Sequence, residues 1–527
     1  MNEMSESIFN SISPADLGLP ARFDRFRQTQ REALDWFQSS DSAVMAAQLP
    51  TGSGKSLFGA AAAALTGGKA TDLVVTKALQ GQMFGDFECI GMRDIRGRAN
   101  YECTNYKNCD DGFEQDCSLS NTSACPYTRA VTAAQQSQLV ISNYAYWLYS
   151  QGVRNKAFED TQLLICDEFH SAEGQLSSFA SIKVYAKEHG LKALPVEKSG
   201  IMPYLTGGPY SSPEVEMSLW WRQWALNKIE AIGDSDKDDK DPLSDRCRRI
   251  SKMGPNWVWQ FDDRGHVTFE PVRLSGFTSR LFAGVPRVLL MSASLSEFTL
   301  KLLLPPDLPY DYRAWPPVFP QDHAPVYHIP TVKLNWKSTD EDYKKVIDTA
   351  DRIIDDRRDR KTIVHSVSYA RTKRAIQHSR HADRFIWNED SASLGRCLER
   401  FRTAGPGAVL VTPSVEEGFD FAGTQCEVQI VLKFPFPNET QRVIKERCAQ
   451  IPGYRLHYAA QKIVQMRGRP IRSYYDRAET FILDNAVKQL SGPEGRSYLP
   501  SGFRIFTVAS VPKAPPKIDP SSIREES

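Results

Sequence analysis

Three short stretches of this chain carry side chains suited to phosphate chemistry, and a fourth stretch carries ligands for a soft metal. The first is Leu49-Pro50-Thr51-Gly52-Ser53-Gly54-Lys55-Ser56. Small residues there let backbone N–H groups close around phosphate oxygens, and a helix that follows points its positive end at the same anion. Pro50, Thr51, Gly52, Ser53 and Gly54 form the cradle, Lys55 reaches the β- and γ-phosphates, and Ser56 offers its hydroxyl to Mg²⁺. Leu49 stands where the general pattern has its first Gly, so the tight turn falls on residues 51–54.

The second stretch, Asp167-Glu168, closes an apolar run. Asp167 can hold Mg²⁺ and Glu168 can polarise an attacking water, the division of labour that hydrolysis of a γ-phosphate requires. The third is Gln465-Met466-Arg467-Gly468-Arg469-Pro470-Ile471-Arg472. On one continuous helix Gln465, Arg469 and Arg472 would share a face, and guanidinium groups there could neutralise charge on a transferring phosphoryl group. Pro470 disturbs that geometry, because proline lacks an N–H and kinks or ends a helix. Alone, this stretch would read better as a basic helix end on the surface.

The fourth stretch holds Cys103, Cys109, Cys117 and Cys125, with five, seven and seven residues between them. Four thiolates in one short polar segment suit a soft metal, whose binding would supply the folding free energy the segment lacks. Structural zinc sites favour tighter Cys pairs, so the spacing leans away from zinc, which stays the alternative. The six other cysteines, Cys89, Cys166, Cys247, Cys397, Cys426 and Cys448, are expected as small buried side chains.

These groups need scaffolds. The 527 residues exceed one ordinary domain, and with 41% hydrophobic and 24% charged residues they can build more than one core. A net charge of +1 gives no global basic field, so any nucleic-acid groove must be a local patch. With no span-length apolar run and no secretory signal pattern, a cytoplasmic protein with reduced thiols is expected, away from membranes. Strands are expected over residues 43–48, 73–76, 139–142, 163–166 and 288–291, with a helix over 56–65, the rhythm of a parallel sheet. A second such section has strands at 362–367, 408–412, 428–432 and 480–483. Residues 98–127 and 171–272 break the first rhythm as insertions. The second insertion is read as mostly helical, with Trp220, Trp221 and Trp224 in a helix over 215–232 and a solvated charged loop over 233–249. Proline-rich residues 305–330 read as a linker, and 511–527 as a disordered tail.

Taken in order, these boxes resemble superfamily 2 helicases of the XPD/DinG iron–sulfur type, from about Phe26 to Asp484. Phe26-Arg27-Gln28-Thr29-Gln30 resembles the adenine-side motif, with Gln30 as base reader. Thr76-Lys77-Ala78-Leu79-Gln80 resembles the motif that touches the DNA backbone. Residues 96–103 resemble the lead-in to the first cluster ligand, and Cys125-Pro126-Tyr127 the last ligand, with Ser142-Asn143-Tyr144 following in order. Asp167-Glu168-Phe169-His170 matches the Asp-Glu-Ala-His box except at Phe169. Ser292-Ala293-Ser294 resembles the motif that couples hydrolysis to movement. Glu417-Gly418-Phe419-Asp420-Phe421 resembles a box of the second motor domain, which places Asp420 at the nucleotide, and residues 465–472 resemble the arginine-finger motif.

The resemblance implies an α/β fold: two RecA-like P-loop NTPase domains, the first carrying an Fe–S cluster insertion and a reduced helical arch. Motor domain 1 would comprise residues 1–97, 128–170 and 273–304, the cluster insertion 98–127, the arch 171–272, and motor domain 2 residues 331–510. It implies ATP, Mg²⁺ and a [4Fe–4S] cluster on the four cysteines, and a monomeric motor that moves 5′→3′ on single-stranded DNA and opens forked duplex. Arg93, Arg96, Arg98, Tyr101, Tyr106 and Lys107 interleave charge and aromatic rings near the cluster, as strand binding requires. Tyr144, Tyr146 and Trp147 suit either stacking or core packing. Two other readings stand beside this one. In one, an ATPase remodels nucleoprotein or R-loops, alone or in a larger complex, without processive unwinding. In the other, a DNA-binding scaffold carries a degenerate motor.

Overall fold

The computed structural model describes residues 8–151, 155–190, 213–232, 242–413, 421 and 423–516. The first motor section supplies β1 (Val44–Gln48), β2 (Lys69–Val74), β3 (Arg93–Asp94), β4 (Leu139–Asn143) and β5 (Thr161–Cys166). An excursion then adds β6 (Ile182–Val184), β7 (Trp257–Phe261) and β8 (Val267–Pro271) before β9 (Arg287–Ser292) and β10 (Asp311–Ala314) return to the first sheet. That sheet has the order β10-β1-β9-β5-β2-β4-β3 and is parallel at every pairing. Its inner strands are buried along their length, as a parallel sheet covered by helices on both faces demands.

The second section is built from β11 (Val326–His328), β12 (Thr362–His365), β13 (Phe385–Trp387), β14 (Val409–Thr412), β15 (Val428–Val431), β16 (Glu479–Ile482) and β17 (Ile505–Thr507). These also form a wholly parallel sheet, in the order β13-β14-β12-β15-β16-β11-β17. Two parallel α/β domains are the architecture expected of two RecA-like units. In such sheets the loops leaving the strands' carboxyl ends gather on one edge, where ligands bind.

Four expectations are corrected here. Residues 305–330 are not a bare linker, since β10 extends the first sheet and β11 the second. Among the described residues the insertion after the acidic box is mostly helical, as expected, but it also holds an unexpected sheet: β6, β8 and β7 form an antiparallel sheet that packs with helices Pro213–Ile232 and Pro242–Ser251. Buried Trp221 is the centre of that small core, with its ring edge-on to Phe269. The second of these helices lies within the expected charged loop; residues 233–241 fall outside the described residues. Residues 511–516 are pinned rather than loose, because Arg357 donates to the Pro512 carbonyl and Arg360 to that of Pro515; residues 517–527 lie outside the described residues. Cys89 is exposed and Cys448 half-buried, whereas Cys166, Cys247, Cys397 and Cys426 are buried as expected.

The insertion also leans on the second motor domain. Arg447, on helix Arg442–Gln450, donates to the Val272 carbonyl at 2.9 Å, the Pro271 carbonyl at 3.0 Å, Glu173 at 2.8 Å and Ser177 at 3.0 Å. Tyr454 donates to the same Glu173 carboxylate at 2.6 Å, and Val443 packs on Val258 and Val272.

Arg357 is fully buried and grips Glu479 with two parallel bonds of 2.7 Å. Removing one partner of such a pair strands the other charge in the core. Arg357→Ala is therefore expected to lower the unfolding free energy by about 3–5 kcal/mol, measured from urea unfolding midpoints. Arg357→Met combined with Glu479→Leu should recover most of that loss, since it removes both charges and refills the space.

Candidate active site

β1 ends at Gln48, and Leu49 donates to the Ser292 carbonyl at 3.1 Å, which fixes the start of the phosphate loop against β9. Gly52 and Gly54 have φ of +80° and +78°, a left-handed conformation that L side chains resist. Those two turns curl the loop so that helix Lys55–Thr66 starts directly behind it. The alanine run Ala60–Ala64 favours that helix and fits closely beneath the sheet, and Gly67 at φ +68° ends it.

Across from the loop, β5 delivers Asp167 and Glu168. Asp167 is anchored through its backbone, donating its N–H to the Leu73 carbonyl at 2.9 Å and accepting from the Tyr144 hydroxyl at 2.8 Å. Glu168 turns sharply at φ +49°, which swings its carboxylate to 3.4 Å from the Lys55 ammonium. Ser292 Oγ donates to Glu168 at 3.2 Å, and His170 Nδ1 lies 3.2 Å from Glu168 and 2.7 Å from Ser292 Oγ. Ser171 Oγ holds the other ring nitrogen at 2.8 Å.

The two carboxyls are electrically unequal. Burial, and then the neighbouring Glu168 charge, push Asp167 up to about 6. Burial would raise Glu168 as well, but Lys55 and His170 override it and hold that group below the usual carboxylate range. Asp72, on β2, is pushed well above the carboxylate range by its burial and by Asp167.

The second domain closes the site. Gln465 donates to Ser294 Oγ at 3.2 Å, and Gln461 to Thr299 Oγ at 2.9 Å. His457 Nε2 lies 3.2 Å from the same Thr299 hydroxyl, buried at the contact between the domains. A Cβ on Gly468 would crowd the Thr51 side chain, so the end of helix Tyr454–Gly468 lies directly on the phosphate loop. That helix stops at Gly468, with Pro470 following, so Gln465, Arg469 and Arg472 do not share one helical face. Arg472 instead folds back, and its guanidinium donates to the Gly468 carbonyl at 3.0 Å. Arg467 turns the other way, donating to the Ala324 carbonyl at 2.8 Å and to Gln321 at 3.0 Å, and burial lowers its guanidinium to about 10. Asp420 and its neighbours 417–419 lie outside the described residues.

Gln30 is buried against the loop. Its amide donates to the Gly54 carbonyl at 3.0 Å and its oxygen accepts the Arg27 N–H at 2.8 Å. Arg27 in turn donates to the Gly52 carbonyl. Gln80 is buried too, joining Asp94, the Ile95 carbonyl and Asn143, while Lys77 beside it is exposed. Tyr144 and Trp147 are core residues, and Trp147 donates to the Leu281 carbonyl at 2.6 Å. Sequence reasoning missed Phe319, whose ring fills the space where a Gly52 side chain would stand. The one available signal was a lone aromatic between prolines, in a segment read as linker.

The four cysteines lie apart from this cleft and line one cavity of about 290 Å³, its open mouth included, with Arg98, Gly112 and Phe113. Cys109 and Cys125 approach to 3.7 Å between sulfurs, too far for a disulfide. Burial pushes the Cys109 thiol up to about 11. Among the described residues no group of three or more His, Cys, Asp or Glu is set to hold a single metal ion. The lobe is tied to the first domain by Tyr127, whose hydroxyl lies 2.7 Å from that of Tyr146, and within the lobe Arg98 stacks between Phe113 and Tyr127. No helix among the described residues is long and apolar enough to cross a membrane.

Two family models match the chain. One, described as a helicase C-terminal domain, covers residues 353–504, and another, described as the res subunit of a type III restriction enzyme, covers 24–195. No curated protein matches it. Among solved structures it is similar to one titled "Structure of S. tokodaii Xpd4", with 15% identity, a TM-score of 0.57 and coverage of 92% of this chain and 100% of that one. Structures titled "XPD_Helicase" and "XPD_APO" are alike over the same shares, at 13% and 14% identity and TM-scores of 0.58 and 0.56. The two domain matches, on a fold shared with the XPD structures, mark a chain with helicase-type motor domains. The resemblance of the ordered motifs to the XPD/DinG type is thereby matched by a shared fold.

The raised Asp167 gives a measurable consequence. A carboxyl held above its ordinary value of 3.8 costs stability wherever it is ionised in the folded protein. Asp167→Asn, which keeps an oxygen to accept the Glu168 N–H, is therefore expected to stabilise the protein by about 1–2 kcal/mol at neutral pH. The advantage should vanish below pH about 4, grow up to about 6 and stay level above it, as read from thermal melts across that range.

Proposed function

We propose that this chain is an ATP-dependent motor that moves 5′→3′ along single-stranded DNA and opens forked duplex, hydrolysing ATP between its two RecA-like domains. The observation that carries this reading is a chain of contacts across the cleft. It runs from Lys55 to Glu168, through Ser292 Oγ to the Ser294 N–H, and from the Ser294 hydroxyl to Gln465 of the second domain. A change at the γ-phosphate is thereby felt at the domain boundary. The loop of Pro50, Thr51, Gly52, Ser53 and Gly54 wraps the phosphates, and Lys55 neutralises the γ-phosphate. Glu168, ionised and braced by His170, polarises the attacking water, and Gln465 reaches the cleft from the second domain, while Arg469 and Arg472 would have to turn toward the transferring group once ATP binds. Ser56 and Asp167 would hold Mg²⁺, which neutralises phosphate charge when bound. Gln30 positions the loop beside the base, and the motif resemblance assigns Asp420 to the nucleotide. ATP closes the domains and hydrolysis releases them, so that alternating grip moves the strand.

Lys55→Ala is expected to cut ATP hydrolysis at least about a hundredfold while single-stranded DNA still binds. Undiminished turnover, measured with and without DNA, would remove the site assignment. Duplexes tailed on the 5′ or the 3′ side decide polarity.

The cysteine lobe is read as the seat of a [4Fe–4S] cluster held by Cys103, Cys109, Cys117 and Cys125. Four thiols around one shared pocket suit a soft-metal group, and the resemblance to iron–sulfur helicases favours a cluster over zinc. The cluster's role would be a structural staple. Iron and zinc analysis after anaerobic purification should find about four irons per chain. Cys109→Ser should lose both iron and unwinding, and a variant that unwinds fully without iron would end the staple role.

A second reading has its own observation, since the Arg447 contacts clasp the small insertion to the second motor domain. A motor built so could displace proteins or RNA from DNA, within a larger complex, without processive unwinding. A forked-duplex assay on the isolated chain separates the two readings.

A further inference from the structure

Trp336 is 87% exposed, further into solvent than any other large hydrophobic residue among those described. A single apolar side chain on a surface is ordinary. This one, however, is held in place by its surroundings. Asn335 receives the Lys337 N–H on its side chain at 2.8 Å, its own N–H donates to Ser338 Oγ at 2.9 Å, and its amide donates to the Lys333 carbonyl at 3.2 Å. Leu334, next to the tryptophan, is buried in the domain core, and Lys433 donates to its carbonyl. The turn is thus a rigid stand with an aromatic ring on top.

The stand is at a telling place. It follows β11, and its neighbour Lys433 follows β15, so both belong to the carboxyl edge of the second sheet, where a doubly wound fold binds its ligands. Thr331, ahead of the turn, is bound to the Leu483 carbonyl beyond β16 on the same edge. Positive charge surrounds the ring. Lys337 lies 4.8 Å from its centre and is exposed, Lys333 is exposed, and Arg371 sits in the first turn of helix Tyr369–His378, which follows β12. Of the acids in the helix after the turn, Asp340 is engaged by Arg374, Glu341 by Lys345 at 3.0 Å and Asp342 by Thr339.

A flat aromatic face beside exposed lysines is what a base and its neighbouring phosphates recognise. We infer that Trp336 is a base-stacking platform for single-stranded nucleic acid on the second motor domain, with Lys333, Lys337 and Arg371 as its phosphate contacts. The inference rests on the motor reading and gives it a specific residue outside the motifs.

The test is equilibrium binding of a fluorescent oligothymidine to the full chain at fixed salt, for the unaltered protein, Trp336→Ala and Trp336→Phe. Trp336→Ala should bind about five- to a hundredfold more weakly, and Trp336→Phe within a few-fold of the unaltered chain. On an abasic strand of equal charge the three should be alike, because only the stacked base is lost. Equal affinity of Trp336→Ala and the unaltered chain for oligothymidine overturns the inference and leaves the motor reading standing, with a protein partner as the other occupant of this surface. An equal loss on the abasic strand also overturns it. Failure of the unaltered chain to bind any single strand overturns both.

Discussion

The geometry of this molecule turns on one charge arrangement, the approach of Lys55 to Glu168 across the gap between phosphate loop and acidic strand end. Each partner has a reason to be elsewhere. Glu168 adopts a left-handed backbone conformation that costs a non-glycine residue on the order of 1 kcal/mol. Asp167 and Asp72 sit beside it with carboxyls that burial drives toward the neutral form. Lys55, His170 and Ser292 together offset this by holding the Glu168 carboxylate firmly ionised. The result is a site with one neutral-leaning acid and one firmly ionised one, separated by environment and not by residue type. Parallel strands make this possible, because β1, β5 and β9 all deliver their ends to one edge.

The same constraint ties chemistry to motion. Ser292 leaves β9 and is followed within two residues by Ser294, which Gln465 reaches from the other domain. On the acidic side, Glu168 is followed by a single turn and then by helix Ala172–Ala180, whose Glu173 accepts bonds from both Arg447 and Tyr454. Two short paths therefore run from the hydrolysis centre into the second domain. One is made of hydroxyls and an amide. The other ends on a buried guanidinium with four acceptors. Hydroxyl contacts exchange with water at small net cost, while a buried charge pair does not separate cheaply. Domain opening thus has a soft edge at Ser294 and a stiff one at Glu173.

What was legible in the sequence follows from which forces leave a pattern. Apolar strand runs and the glycine-lysine loop are local, and the strands at β1, β4, β5, β9, β12, β14, β15 and β16 were readable for that reason. β2 was placed too late because Lys69, Thr71 and Asp72 are polar yet buried, each answered or perturbed by partners far along the chain: Lys69 by the Ala134 carbonyl, Thr71 by Thr161 and Asp72 by Asp167. β10 and β11 hid among prolines: β10 is an edge strand, which tolerates such company, and β11, though paired on both sides, is only three residues long. The antiparallel sheet of the insertion was obscured by the tryptophans of its packing helix, which dominated the composition. In the site, Lys55, Asp167, Glu168 and Gln465 were legible from motif order. Phe319 and Arg447 were not, because neither carries a local signal and each matters only through contacts made after folding.

The two insertions solve different problems with the same first domain as base. The tryptophan-rich one has enough apolar material for a core of its own, and it spends its surface on the second domain through Val258, Val272 and Arg447. The cysteine lobe has one short helix between its first and third cysteines, and its rings face inward to the domain through Tyr101 and Tyr127. Arg98 fills the gap between Phe113 and Tyr127, so the side chain that would extend a basic stripe instead closes the lobe's own base. Bound as proposed, a cluster would supply folding free energy to this lobe, whereas the other insertion has a core of its own. Loss of a metal would then loosen only the part of the first domain that faces away from the ATP cleft, leaving Lys55, Glu168 and the path to Gln465 in place.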